Sequence, residues 1–393
     1  MSDVPHMRFP EFTEEWNSKS LIDLANVIGG GTPDTTVKSY WDGEIQWFTP
    51  SEIGKSKYVD LSIRTITEEG LNNSSAKLLP SGTILLSTRA TIGECSLSLR
   101  KCATNQGFQS LVSKKCNTDF LYYLIQTKKK DLIRKSCGST FLEISANEVR
   151  KIQVSVPTEV EQQRIAELLS LIDERIATQN KIIEDLKKLK CAIIEKVLNG
   201  NHCANLRLGD VGSYIRGLTY SSNDVVENNG TLVMRSNNIV NGSPLDYKGD
   251  VVSVNKQISQ EQQLQDGDIV ICMANGSSAL VGKSSFYDGK CTSPITVGAF
   301  CGIYRSKMPI TKWLFQTNRY RRYIWNSLQG GNGAIANLNG EDILRMQFPV
   351  PDEQTAERWT KILSSLASLI ESNVSLCSKY SQQKEYLLRQ MFI

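Results

Sequence analysis

The sequence predicts a mixed α/β (α+β) fold in which two duplicated globular domains are separated by a coiled coil of two long helices. Two observations carry this. Beyond Pro157 the chain runs to Leu198 without a Pro or Gly, and its apolar positions recur at steps of four and three: Ile165, Leu169, Ile172, Ile176, Ile183, Leu186, Ile193 and Val197. That is a heptad seam, which asks for a long partner helix. The partner is in the same chain. From Pro351 onward the pattern repeats without a gap, placing Trp359, Leu363, Leu366, Ile370, Cys377, Tyr380, Leu387 and Met391 on the seam. The polar interruptions coincide too, Gln179 with Asn373 and Lys190 with Lys384. Polar residues at such positions weaken a coiled coil but specify its register.

A chain of 393 residues exceeds one ordinary core. The expected division is 1–155 for the first globular domain, 156–200 for a central long helix, 201–349 for the second globular domain and 350–393 for a C-terminal long helix. In chain order, Leu21-Ile22-Asp23-Leu24 opens a compact region, and Gly29-Gly30-Gly31-Thr32-Pro33 is a turn or loop. Tyr40-Trp41-Asp42-Gly43 reads as a second turn, feeding a strand over 45–49. Further strands are expected over 83–87, 108–112 and 152–156, and residues 119–135 have helical spacing. Thr158 can cap the central helix, Glu159 and Glu161 favour its positive end, and Asn199-Gly200 ends it. The second half repeats the plan. Residues 208–211 answer 21–24, 233–239 loosely answer 46–53, 266–271 answer 81–86, and 311–314 answer 118–121. A period near half the chain is an internal duplication, not a solenoid. The strand starts agree between copies while the loops after Ile53 and Ile239 share almost nothing, which suggests two related sites that read different things.

Composition narrows the chemistry. The 40% hydrophobic and 22% charged content is that of a soluble globular protein, with no apolar run approaching a membrane span and no signal-peptide core at the start. The ten cysteines are scattered without a C-x-x-C pair and read as reduced thiols of a cytoplasmic protein. Only His6 and His202 exist, so neither a zinc cluster nor a histidine-based nucleophile pair is expected. The stretch from Gly276 to Ser284 has five residues, not four, between its glycines, and Ser284 to Tyr287 looks like strand, so it is no phosphate loop. The net charge of +4 falls on the globular stretches rather than the helices, which suits a polyanionic partner without requiring one. No catalytic residue and no metal site is expected.

Basic clusters stand at equivalent places in the copies: Lys128-Lys129-Lys130, and Arg319 to Tyr323 with Arg321 and Arg322. Lysine and arginine there can contact phosphates, or simply solvate a helix face. Loop residues with base-reading chemistry are Thr49, Ser51, Glu52, Arg89, Asn105 and Gln106 in the first copy, and Arg235, Ser236, Asn237, Asn238 and Asn275 in the second. Arginine suits guanine and asparagine or glutamine suits adenine by bidentate geometry, the alternative for each being a capped turn.

Several stretches resemble the specificity subunit of type I restriction–modification enzymes. They are Leu21 to Ile53, with Trp47-Phe48-Thr49-Pro50; Thr104-Asn105-Gln106-Gly107-Phe108; and Val156-Pro157 followed by Glu161-Gln162-Gln163-Arg164-Ile165-Ala166. The second copy departs from the pattern at Val297-Gly298-Ala299-Phe300 and Ala356-Glu357-Arg358-Trp359. The resemblance implies two target-recognition domains, each reading one half of an asymmetric bipartite site in double-stranded DNA. It implies helices packed antiparallel about a pseudo-two-fold axis, and a non-catalytic chain. The partners would be modification (methyltransferase) subunits using S-adenosylmethionine and restriction subunits using ATP and Mg, in a bacterial or archaeal host-defence system. As helix, residues 165–197 would span roughly 50 Å at ~1.5 Å per residue, more than one DNA turn. The alternatives are a coiled-coil DNA-binding adaptor or regulator without methyltransferase partners, and, less well supported, an enzyme.

Overall fold

A computed structural model describes residues 4–138, 142–198, 204–227, 229–328 and 336–393. The chain falls into two compact units, Met1–Lys181 with Val374–Ile393, and Ile182–Asn373. Both long helices form as the seam predicts, Glu159–Val197 and Glu353–Gln390. Each helix contributes residues to the cores of both units. The expected helix end at Asn199-Gly200 and His202 lie outside the described residues.

In the first unit, Ile165, Leu169 and Ile172 share a buried core with Leu387 and Met391. The Lys384 ammonium meets Asp173 at 2.7 Å and the Cys377 thiol meets the Asn180 amide oxygen at 3.3 Å. Numbers rise along one helix as they fall along the other, so the segments are antiparallel. In the second unit Ile194 and Val197 are buried with Ala356 and Leu363. The seam residues Gln179 and Lys190 are buried despite their polarity. Lys190 donates to the Gly242 carbonyl at 3.0 Å, and burial holds its ammonium below the ordinary lysine pKa.

The first unit holds a five-stranded sheet ordered Ala25–Gly29, Gln109–Ser113, Ile84–Leu86, Cys95–Ser98, Tyr58–Val59. A three-stranded sheet is ordered Arg64–Ile66, Trp41–Phe48, Cys102–Thr104. Two expectations are corrected here. Residues 40–43 are not a separate turn: Trp41 and Ile45 both face Ile66, and Asp42 has φ 61°, so this is a bulge within one strand. The helix expected over 119–135 breaks at Lys128, giving Thr118–Thr127 and Lys129–Arg134. Its buried face, Phe120 to Ile125, packs into the core shared with the central helix.

The second unit keeps the plan. One four-stranded sheet is ordered Gly212–Arg216, Cys301–Ser306, Ile269–Cys272, Ser284–Phe286. Another is ordered Val225–Val226, Val252–Val254, Thr231–Met234, Ile295–Val297. The two units share an equivalent parallel pairing: Trp47 opposite Ala103 and Phe48 opposite Thr104, and Val233 opposite Thr296 and Met234 opposite Val297. In each unit, too, a two-stranded ribbon brings the entry segment against the strand preceding a long helix, Asn17–Ser20 with Gln153–Val156 and Ala204–Arg207 with Gln347–Val350.

Candidate nucleic-acid interface

In the first unit, four backbone pins gather distant loops into one rim. A Cβ on Gly30 would lie 2.0 Å from the Asn105 carbonyl oxygen, so only glycine permits the approach. Gly31 N–H donates to the Thr104 carbonyl at 2.8 Å. Asn105 N–H donates to the Phe48 carbonyl at 3.1 Å, which draws in Thr49 to Glu52. Thr88 N–H donates to the Gly107 carbonyl at 2.8 Å, which draws in Arg89. Thr49, Ser51, Arg89, Asn105 and Gln106 therefore share one rim although they lie far apart in sequence.

The rim is partly self-organised and partly open. The Glu52 carboxylate accepts from Thr49 N–H at 2.8 Å and from Ile63 N–H at 2.7 Å, so Glu52 braces the loop. The Asn105 side-chain carbonyl accepts from Gly107 N–H at 2.9 Å. Gln106 is exposed, and its side-chain oxygen takes the Thr32 hydroxyl. Ser51 is exposed, and the Arg89 guanidinium lies 2.7 Å from the Glu143 carboxylate.

The second unit repeats these pins with other side chains. A Cβ on Gly217 would meet the Gly298 carbonyl oxygen at 2.1 Å, and Leu218 N–H donates to the Val297 carbonyl at 2.7 Å. Gly298 N–H donates to the Met234 carbonyl at 2.9 Å, and Met273 N–H to the Phe300 carbonyl at 2.8 Å. Gly298, Ala299 and Phe300 thus stand where Asn105, Gln106 and Gly107 stand in the first unit, and Phe300 is 69% exposed. The short 3-10 turn Ser236–Asn238 matches Pro50–Glu52, and Asn238 accepts from Arg235 N–H at 2.9 Å as Glu52 does from Thr49. Asn275 reaches the same loop, its amide donating to the Ser236 hydroxyl at 3.2 Å. Asn238 is 1% exposed with its amide committed to the fold, so it shapes the rim and does not face outward. Arg235 and Asn237 remain on the surface, where both meet Asp250.

The basic clusters stand apart from this pattern. Lys128 is not on a free helix face: its ammonium donates to the Ile393 carbonyl at 2.6 Å, and burial lowers its pKa. Lys129 packs against Gly93 and pairs with Glu94. Arg321 and Arg322 are exposed on the helix Asn318–Leu328, which rests on the turn at Gly282 through Ile324. The Gly276–Ser284 stretch forms a short turn at Ser278–Leu280 and then a strand, Ser284–Phe286. Among the described residues no group of three or more His, Cys, Asp or Glu could hold a metal ion, and no helix is long and apolar enough to cross a membrane. Sequence reasoning missed Glu143 and Asp250, neither of which lies in a periodic element or motif that could have flagged it, and met Phe300 only as a departure from the pattern of the first copy.

Residues 13–188 match the family model of the type I restriction modification DNA specificity domain. The chain is 37% identical over 181 residues to the type I restriction enzyme MjaIX specificity subunit of Methanocaldococcus jannaschii, covering 45% of this chain and 42% of that one. It is 30% identical over 190 residues to the EcoR124I/EcoR124II specificity subunit of Escherichia coli, covering 46% of each. The chain thus spans about half the length of the curated relatives it matches. Its fold is similar to the S subunit of a type I restriction–modification system from M. genitalium, with TM-score 0.60 at 15% identity over 99% of both chains. A structure titled for complex assembly and conformational transition of the type I R-M system gives TM-score 0.54 at 15% identity over 98% of both chains. The first unit thus matches the type I restriction modification DNA specificity domain, and the fold along the whole chain is similar to that of S-subunit structures.

Proposed function

We propose that this chain selects the DNA sequence for a type I restriction–modification complex, each unit reading one half of an asymmetric bipartite duplex site. One observation carries the reading: the two rims are built on equivalent backbone pins yet present different side chains, Thr49, Ser51, Asn105, Gln106 and Gly107 against Arg235, Asn237, Gly298, Ala299 and Phe300. Equivalent frames with different donors and acceptors are what two different half-sites require. The chain itself does no chemistry. Modification subunits with S-adenosylmethionine, and restriction subunits with ATP and Mg, act on the DNA that this subunit selects in the cytoplasm. The long helices set the spacing and dock those subunits. In support of docking, the central helix exposes apolar side chains in each unit, Val160 and Leu171 in the first and Ile182 and Leu189 in the second.

The test is an exchange. Residues 1–155 are replaced by the equivalent stretch of a relative, and methylated sites are mapped genome-wide in cells carrying the modification subunits. One half-site should change and the other persist; a change in both sinks the two-reader assignment. Methyl transfer from S-adenosylmethionine to DNA by the purified chain alone would overturn its non-catalytic role.

A further inference from the structure

One exposed acid gathers the readers of the second rim. Asp250 accepts from the Arg235 guanidinium (Nη2 to Oδ2, 2.9 Å) and from the Asn237 amide (Nδ2 to the backbone oxygen at 3.1 Å and to Oδ2 at 3.2 Å). Its backbone oxygen also takes the buried Asn238 amide at 3.0 Å. The Asp250 side chain is 79% exposed, and exposed ion pairs contribute little to stability. The geometry points to a different role: Asp250 is a positioning residue that sets which bases the second unit reads, by aiming Arg235 and Asn237. This rests on the DNA-reading function proposed above.

Three physical consequences support it. First, an Asn amide can turn over, exchanging donor for acceptor; a carboxylate and a carbonyl on Nδ2 hold it one way round. Its Oδ1 then remains to accept from the N6 amino group of an adenine. Second, arginine has five donors, so binding Asp250 through Nη2 leaves Nη1 to donate to guanine O6 or N7 while restraining a long side chain before DNA arrives. Third, a carboxylate on the rim repels phosphates, so it weakens binding to DNA that offers Arg235 and Asn237 no matching base. The first unit carries the same kind of device from another loop, Arg89 on Glu143 at 2.7 Å. An acid supplied by non-equivalent loops is what independent tuning of two readers would leave.

The experiment selects bound duplexes from a randomised pool, using the full chain assembled with the modification subunits of its system. Wild type is compared with Asp250→Ala, Asp250→Asn, Arg235→Ala and the double variant Asp250→Ala/Arg235→Ala. Asp250→Ala should relax discrimination about tenfold at the bases of one half-site and leave the other half unchanged. Asp250→Asn, which keeps an acceptor, should recover part of the loss. The double variant should add nothing at the bases already relaxed in Arg235→Ala, because the acid acts through the arginine. A wild-type motif that Asp250→Ala leaves intact overturns this inference alone. Loss in both halves also overturns it, since that marks general damage. Absence of any wild-type motif overturns the DNA-reading function as well.

Discussion

Gly30→Ala should damage the first rim severely, while Gly29→Ala beside it should be nearly silent. The added Cβ at Gly30 would stand 2.0 Å from the Asn105 carbonyl oxygen and 2.4 Å from the Thr104 carbonyl oxygen. Ordinary contact begins near 3.4 Å, so the backbones must part by more than about 1 Å. The pins there, Gly31 N–H to Thr104 at 2.8 Å and Asn105 N–H to Phe48 at 3.1 Å, cannot both survive such a shift, because hydrogen bonds fail beyond roughly 3.5 Å. An orphaned backbone group costs about 1–3 kcal/mol and overpacking about the same. The gain from a less flexible unfolded chain is at most about 1 kcal/mol. The net loss is then about 1–5 kcal/mol. At Gly29 the added Cβ meets only the Gln109 side chain, at 3.6 Å. The assay is peptide-level hydrogen exchange over residues 41–48 and 102–113, paired with half-site selection. Gly30→Ala should lose protection in both stretches and discrimination in the first half-site. Equal protection in the Gly29 and Gly30 variants would refute the reasoning that the rim is built on this approach.

Arg305 grips the buried Asp268 with both prongs, at 2.8 and 2.6 Å, so Arg305→Ala should destabilise the second unit by about 3–5 kcal/mol through an uncompensated buried carboxylate; urea unfolding checks this, and Arg305→Lys should fall between, lacking the fork. Burial pushes the Cys95 and Cys301 thiols up to about 12, because it disfavours the thiolate, so both remain neutral and unreactive at pH 8. Iodoacetamide labelling followed by mass spectrometry should therefore modify the exposed Cys137 and Cys191 first, with Cys95 and Cys301 catching up only in denaturant. Labelling of Cys95 at the rate of Cys137 in the native protein would contradict that placement.

The sequence by itself determined the two long helices, their seam, the polar breaks at Gln179 and Lys190, and the duplication, because each is a regular spacing that a helix or a repeat imposes along the chain. It also named the residue types of the rims, since Thr49, Arg89, Asn105, Gln106, Arg235 and Asn237 are base-reading chemistry in loops. Only the tertiary structure decided which of these meet. The rims depend on parallel pairing of 41–48 with 102–104, and of 231–234 with 295–297, between strands that carry no mark of their partners. The same long-range packing fastened Lys128 to the end of the chain, buried Asn238 beneath its turn, and made a bulge of Trp41 to Ile45 because Ile66 faces both. Asp250 and Glu143 were beyond sequence reasoning for that reason. A carboxylate in an aperiodic loop acquires a role only when the fold brings an arginine within about 3 Å of it.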